Sequence, residues 1–249
     1  MTSLGASTVL FFRRPGDAGG TFQKVFLGFA AGVMIAASVW SLIIPALEES
    51  ELAGQIVWVP AAGGIILGAA FLFALDNLIP HIHPFENLIE GRSSSYKRST
   101  LLVFAVTLHN IPEGMAVGLS FALALQHLAE PAYMAAAVAL AIGIGIQNFP
   151  EGAAVSLPLR QEGMSRAKSF GIGLLSGAME PIFGVIAILV AAYLAPIMPW
   201  LLCFAAGAML YVVVEELIPE AHLGEHSNTG TLSVLVGFLV MMVLDVALG

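Results

Sequence analysis

Charge is what this chain has least of. Asp, Glu, Lys and Arg make up 10% of its 249 residues, hydrophobic residues make up 58%, and the mean hydropathy is +0.91. Soluble domains carry roughly a quarter charged residues, so this composition excludes an ordinary water-soluble fold and indicates a polytopic membrane protein. A basic patch is also missing, and the net charge of −8 excludes nucleic acid as a partner. A single cysteine, Cys203, rules out an intrachain disulfide, and its apolar surroundings make it a packing residue. No segment alternates apolar with polar residues over about ten positions, as the strands of a membrane barrel do. Apolar runs near the ~20 residues that carry a helix across a bilayer recur instead. The expected fold is therefore an all-α polytopic bundle.

Full-length spans are expected at about 25–47, 56–79, 100–125, 132–158, 169–192, 200–218 and 231–248, with a short apolar segment, Met1 to Phe12, before them. That short segment lacks the preceding basic residues of a signal peptide and reads as the end of a truncated first span. The nine Lys and Arg residues confirm the count, because they fall into three connections: Arg13, Arg14 and Lys24; Arg92, Lys97 and Arg98; Arg160, Arg166 and Lys168. With these spans all three connections lie on one side, which the positive-inside rule makes cytoplasmic, and both termini lie outside. A single transporter domain over 1–249 is expected, with a cytoplasmic loop at about 81–99. Gly28 with Gly32, Gly64 with Gly68, and Gly173 with Gly177 are spaced for close helix contact inside one bundle.

Two hexapeptides stand out: His109-Asn110-Ile111-Pro112-Glu113-Gly114 and Gln147-Asn148-Phe149-Pro150-Glu151-Gly152. Each sits mid-span, where an unpaired carboxylate costs roughly 2.5 to 3.5 kcal/mol even by insertion scales. Residues four apart share a helix face, so His109 stands over Glu113 and Gln147 over Glu151, with Asn110 and Asn148 three apart from the same carboxylates. Glu180 adds a third mid-span carboxylate. No Lys or Arg lies within a full span to neutralise them, so cations or protons must come from outside the chain. One imidazole, carboxylates and amides suit a borderline divalent ion such as Zn²⁺, and also Fe²⁺, Mn²⁺ or Co²⁺. Pro112 and Pro150 each remove a backbone N–H, which frees the carbonyls of Leu108 and Ile146 and is expected to bend both helices, with Gly114 and Gly152 keeping the backbone accessible.

Weaker signals surround these. Asp76 and Glu216 at the inner ends of spans, with His81, His83 and His222, form a candidate exit path, and Glu220, Glu225 and His226 extend it. Solvated loop histidines and interfacial carboxylates are the plainer account. Asp76-Asn77-Leu78-Ile79-Pro80-His81 also resembles Glu215-Glu216-Leu217-Ile218-Pro219-Glu220, which is consistent with an internal repeat. Met34, Met115, Met164, Met179 and Met209 read as core filler, and Trp40, Trp58 and Trp200 as an outer interfacial belt.

The hexapeptide pair resembles the fourth and fifth spans of the ZIP family of divalent metal transporters. Gly28-Phe29-Ala30-Ala31-Gly32-Val33-Met34 and the Gln that opens the second motif are similar to its GufA-like branch. The resemblance implies eight spans with both termini outside, and a homodimer. It also implies a binuclear site, with one ion held by His109, Glu113, Gln147 and Glu151 and a second by Asn110, Glu113, Asn148, Glu151 and Glu180. Gln147 replaces a second histidine found in many members. The expected function is movement of Zn²⁺, and of Fe²⁺, Mn²⁺, Co²⁺ or Cd²⁺, into the cytosol, with the metal as substrate and no organic cofactor. In a bacterium this would occur across the plasma (inner) membrane. An intramembrane metalloenzyme is the alternative, but the H-E-x-x-H helix of a hydrolytic zinc site is absent. A metal sensor that binds without transporting is the other.

Overall fold

In the computed structural model, residues 1–11, 21–78, 81–82, 89–90, 98–161, 163–222 and 228–248 are described. The elements are helical apart from β1 (His81–Ile82) and β2 (Ile89–Glu90), a two-residue antiparallel ribbon in the expected loop. A short helix α1 (Thr2–Phe11) comes first. Next, α2 (Thr21–Ala37) runs through a wide turn at Ser38–Ile43 into α3 (Ile44–Leu52). The chain continues through α4 (Trp58–Leu78), α5 (Arg98–Gln126), α6 (Pro131–Gln161), α7 (Arg166–Gly177) and α8 (Met179–Tyr193). It ends with α9 (Met198–Val212), a second wide turn at Val213–Leu217, α10 (Ile218–His222) and α11 (Thr229–Leu248).

Among the described residues, six helical stretches are long and apolar enough to cross a membrane: 24–52, 58–78, 131–160, 166–193, 195–217 and 229–248. Helix α5, which carries the first hexapeptide, is 29 residues long and lies among them. Large apolar side chains are exposed along the outward faces of the long helices. On α11, Leu232, Leu235, Val236, Leu239, Val243 and Val246 are all exposed at helical spacing, a pattern that suits lipid and not water.

Two groups of helices share the bundle. Helices α1, α5, α6, α7 and α8 pack on one another, as do α2, α3, α4, α9, α10 and α11; the groups meet mainly where α5 touches α9 and where α6 touches α2 and α11. Lipid offers no hydrophobic drive for helix association, so close backbone approach must supply it. Reciprocal glycines provide that approach within each group. A Cβ on Gly32 of α2 would fall 1.9 Å from the carbonyl oxygen of Val234 in α11, and one on Gly237 would fall 2.0 Å from that of Phe29. Gly68 and Gly207 cross α4 with α9 in the same way, Gly114 and Gly184 cross α5 with α8, and Gly5 and Gly152 cross α1 with α6. The expected glycine pairs at 28/32, 64/68 and 173/177 are thus contacts inside the chain. Gly114 and Gly152 do not leave the backbone accessible, as the sequence suggested; each is a crossing point covered by a neighbouring helix.

The two wide turns are π-helical, and proline accounts for both. Pro45 and Pro219 lack an N–H and crowd the carbonyl four residues earlier, so the turn just before each proline opens. The N–H of Ile44 reaches the carbonyl of Val39, and that of Ile218 the carbonyl of Val213, each five residues back. By contrast, α5 and α6 continue as α-helix through Pro112 and Pro150. The helical interruption falls in the sixth expected span, where α7 ends at Gly177 and α8 begins at Met179.

At the end of the bundle away from the Lys and Arg residues, His127 Nε2 lies 2.9 Å from Glu49 Oε1, and its ring stacks on Tyr133 with centroids 4.2 Å apart. This ties α3 of one group to the α5–α6 connection of the other. Below it, Met34, Leu42, Leu119, Leu123, Leu140 and Met209 fill the space between the groups. Met34 and Met209 are core filler, as expected. Trp58 is exposed, but Trp40 packs edge-on to Phe238 against the core and Trp200 covers Gly63, so only part of the expected tryptophan belt faces outward.

Candidate metal site

The hexapeptide side chains are buried side by side in the middle of the bundle. Asn110, Glu113 and Gln147 are fully buried, Asn148 is 1% exposed, and His109 and Glu151 are 7% exposed. They come from α5 and α6, which pack together. Glu180 joins them from the first turn of α8, where the N-terminal end of a helix favours a carboxylate. Glu113, Glu151 and Glu180 lie within one another's electrostatic reach, and His109 lies within reach of Glu151, Glu216 and Asp76.

The helical interruption has a direct consequence for Asn110. Carbonyls at the end of α7 lack a full set of helical partners. Asn110 Nδ2 donates to the carbonyl of Ser176 at 2.7 Å, which holds the amide, and its Oδ1 is buried without a hydrogen bond. On the other side, Asn148 Nδ2 donates to Glu180 Oε2. Thr2, at the start of α1, donates from Oγ1 to Glu180 Oε1 at 2.9 Å. Thr2 went unnoticed in the sequence reading; only the Gly173 and Gly177 pair, which packs against α1, hinted that α1 approaches here.

Glu216 is the second residue whose place could not be read from sequence. Expected on an exit path, it projects from the π turn after α9, and its Oε1 lies 2.6 Å from His109 Nε2. Asp76, near the end of α4, is 5% exposed and within electrostatic reach of His109. Of the remaining exit-path residues, His83, Glu225 and His226 lie outside the described residues, as do the side chains of His81, Glu220 and His222.

Acceptors outnumber donors in this cluster. Asn110 Oδ1, both oxygens of Glu113, Gln147 Oε1 and Glu151 Oε2 are buried without a hydrogen-bond partner, and all belong to the two hexapeptides. A buried acceptor left unsatisfied costs about 1–3 kcal/mol, more for a charged group. Five such oxygens lie together in the two hexapeptides. Among the described residues, however, no three His, Cys, Asp or Glu side chains converge closely enough to hold an ion as they stand. His109 rests on Glu216, and Glu180 on Thr2 and Asn148.

Known proteins are similar to this chain in sequence. The family described as ZIP Zinc transporter matches residues 86–245. Human Zinc transporter ZIP11 is 36% identical over an alignment covering 100% of this chain and 94% of its own. Zinc transporter GufA of Myxococcus xanthus is 36% identical over 100% of this chain and 94% of its own. Zinc transporter ZIPB of Bordetella bronchiseptica is 38% identical over 100% of this chain and 78% of its own. Full-length similarity at this level, on top of a helical bundle with paired hexapeptides at its centre, makes this chain a member of the ZIP zinc transporter family, of the GufA-like kind.

Proposed function

We propose that the divalent metal transport to which family membership assigns this chain runs through a binuclear site at the hexapeptides. His109, Glu113, Gln147 and Glu151 hold one ion, and Asn110, Glu113, Asn148, Glu151 and Glu180 the other, with the two glutamates of the hexapeptides bridging. The observation that carries this reading is the set of five buried acceptor oxygens without donors, all in these motifs. The names of the relatives favour Zn²⁺ as substrate, and the nitrogen and oxygen ligand set also admits Fe²⁺, Mn²⁺, Co²⁺ and Cd²⁺.

The packing supports a route through the site. The apolar residues above the site close it toward the His127 end, while Asp76 and Glu216 lead from His109 toward the end bearing Lys and Arg. By the positive-inside rule that end is cytoplasmic, so transport runs from outside, or from a compartment lumen, into the cytosol. An incoming ion takes His109 from Glu216 and draws Glu113 and Glu151 together. Release lets Glu216 recover His109. Passage requires the two helix groups to shift, because the apolar seal lies on the interface between them. The full complement is eight spans with both termini outside, in a homodimer embedded in a lipid bilayer; for a bacterial protein that bilayer is the plasma (inner) membrane. Metal uptake into proteoliposomes tests the assignment. The Glu113→Ala, Glu151→Ala double variant should lose uptake, and wild-type flux in that variant would refute the site.

A further inference from the structure

Glu180 is the only proposed ligand with both carboxylate oxygens already engaged, Oε2 by Asn148 and Oε1 by Thr2. The Thr2 contact is built in. Thr2 is 3% exposed. A Cβ on Gly152, the last residue of the second hexapeptide, would fall 2.0 Å from the carbonyl oxygen of Thr2, and one on Gly177, the last residue of α7, would fall 2.5 Å from the Cβ of Thr2. Three residues further along α1, a Cβ on Gly5 would fall 1.8 Å from the carbonyl oxygen of Phe149. The end of α7, a motif glycine and a glycine of α1 itself therefore admit α1 to a depth where the Thr2 hydroxyl meets the Glu180 carboxylate.

We propose that Thr2 is a positioning residue for the second ion: α1 supplies a hydroxyl that fixes the Glu180 carboxylate so that its remaining lone pairs face the ion shared with Asn110 and Asn148. A carboxylate has about four lone-pair positions, so a donor on each oxygen leaves one per oxygen for metal and fixes their direction. Outer partners of this kind typically change metal affinity by 10- to 100-fold. The first ion, held by His109 and Gln147, does not depend on Thr2. The inference rests on the binuclear reading above.

Zinc titration calorimetry on the full-length purified chain resolves the two binding steps. Thr2→Val preserves shape and removes the hydroxyl; it should weaken the second step roughly tenfold and leave the first unchanged. Thr2→Ser restores the hydroxyl and should bring the second step back to within about twofold. A second step unchanged in Thr2→Val, or as weak in Thr2→Ser as in Thr2→Val, would overturn the role of Thr2 and leave the binuclear site intact. Wild-type binding of both ions in Glu180→Gln would remove Glu180 from the site, and the role of Thr2 with it.

Discussion

The contact between His109 and Glu216 makes a prediction that can go against intuition. On the proposed site a metal ion takes the Nε2 lone pair of His109, and Glu216 Oε1 lies 2.6 Å from that nitrogen. Glu216→Gln keeps the size and removes the formal charge. Hydrogen bonds to charged groups contribute about 1.5–3 kcal/mol and neutral ones about 0.5–1.5, so the substitution weakens the competitor by about 1.4 kcal/mol, or tenfold in an equilibrium constant. Zinc titration of the purified variant should show the first ion binding about tenfold more tightly. Flux per transporter should fall, because Glu216 no longer draws His109 away as the ion leaves. Zinc binding that weakens tenfold would make Glu216 a ligand and refute the competition argument, and unchanged affinity would make the contact irrelevant to binding.

Three further outcomes are expected. Gln147→His replaces a neutral amide by an imidazole and should raise the ratio of zinc to manganese uptake about tenfold in a competition flux assay; an unchanged ratio would mean that this position does not set preference. Gly32→Ala places a Cβ 1.9 Å from the carbonyl oxygen of Val234. It should cost about 1–3 kcal/mol, which thermal unfolding in detergent would register as a Tm lower by roughly 2–4 °C per kcal/mol. Ser41→Ala removes the 2.7 Å hydrogen bond to Asp245 Oδ1 in a carboxylate whose other oxygen already lacks a partner, and should destabilise by about 1–3 kcal/mol, with Ser41→Thr close to wild type.

The hexapeptides could be found from sequence because burial of a carboxylate in lipid is a strong physical signal, visible without any knowledge of the fold. Spans such as 58–78 and 229–248 were legible for the same reason. Glu216 was not, because it reaches His109 from a π turn. That turn carries a residue more than an α-helix would, and 3.6-residue periodicity mis-assigns the face of whatever lies in it. Pro219 was the available clue, and with Pro45 it deforms its helix more visibly than Pro112 and Pro150 deform theirs. Thr2 was hidden for a different reason. Its role depends on where a ten-residue helix docks, and nothing local to residues 2–11 encodes that depth; the information sits in Gly152 and Gly177, far along the chain.

The scarcity of Lys and Arg within the spans also has an electrical side. Two divalent ions held against ionised Glu113, Glu151 and Glu180, as the binuclear reading has them, sum to one positive charge, whereas the three ionised carboxylates without ions are negative. A membrane potential acts with about 2.3 kcal/mol per charge per 100 mV, so loading reverses the sign of the force on the site. With the inside negative, the field would favour inward movement of the loaded site and outward movement of the empty, ionised one.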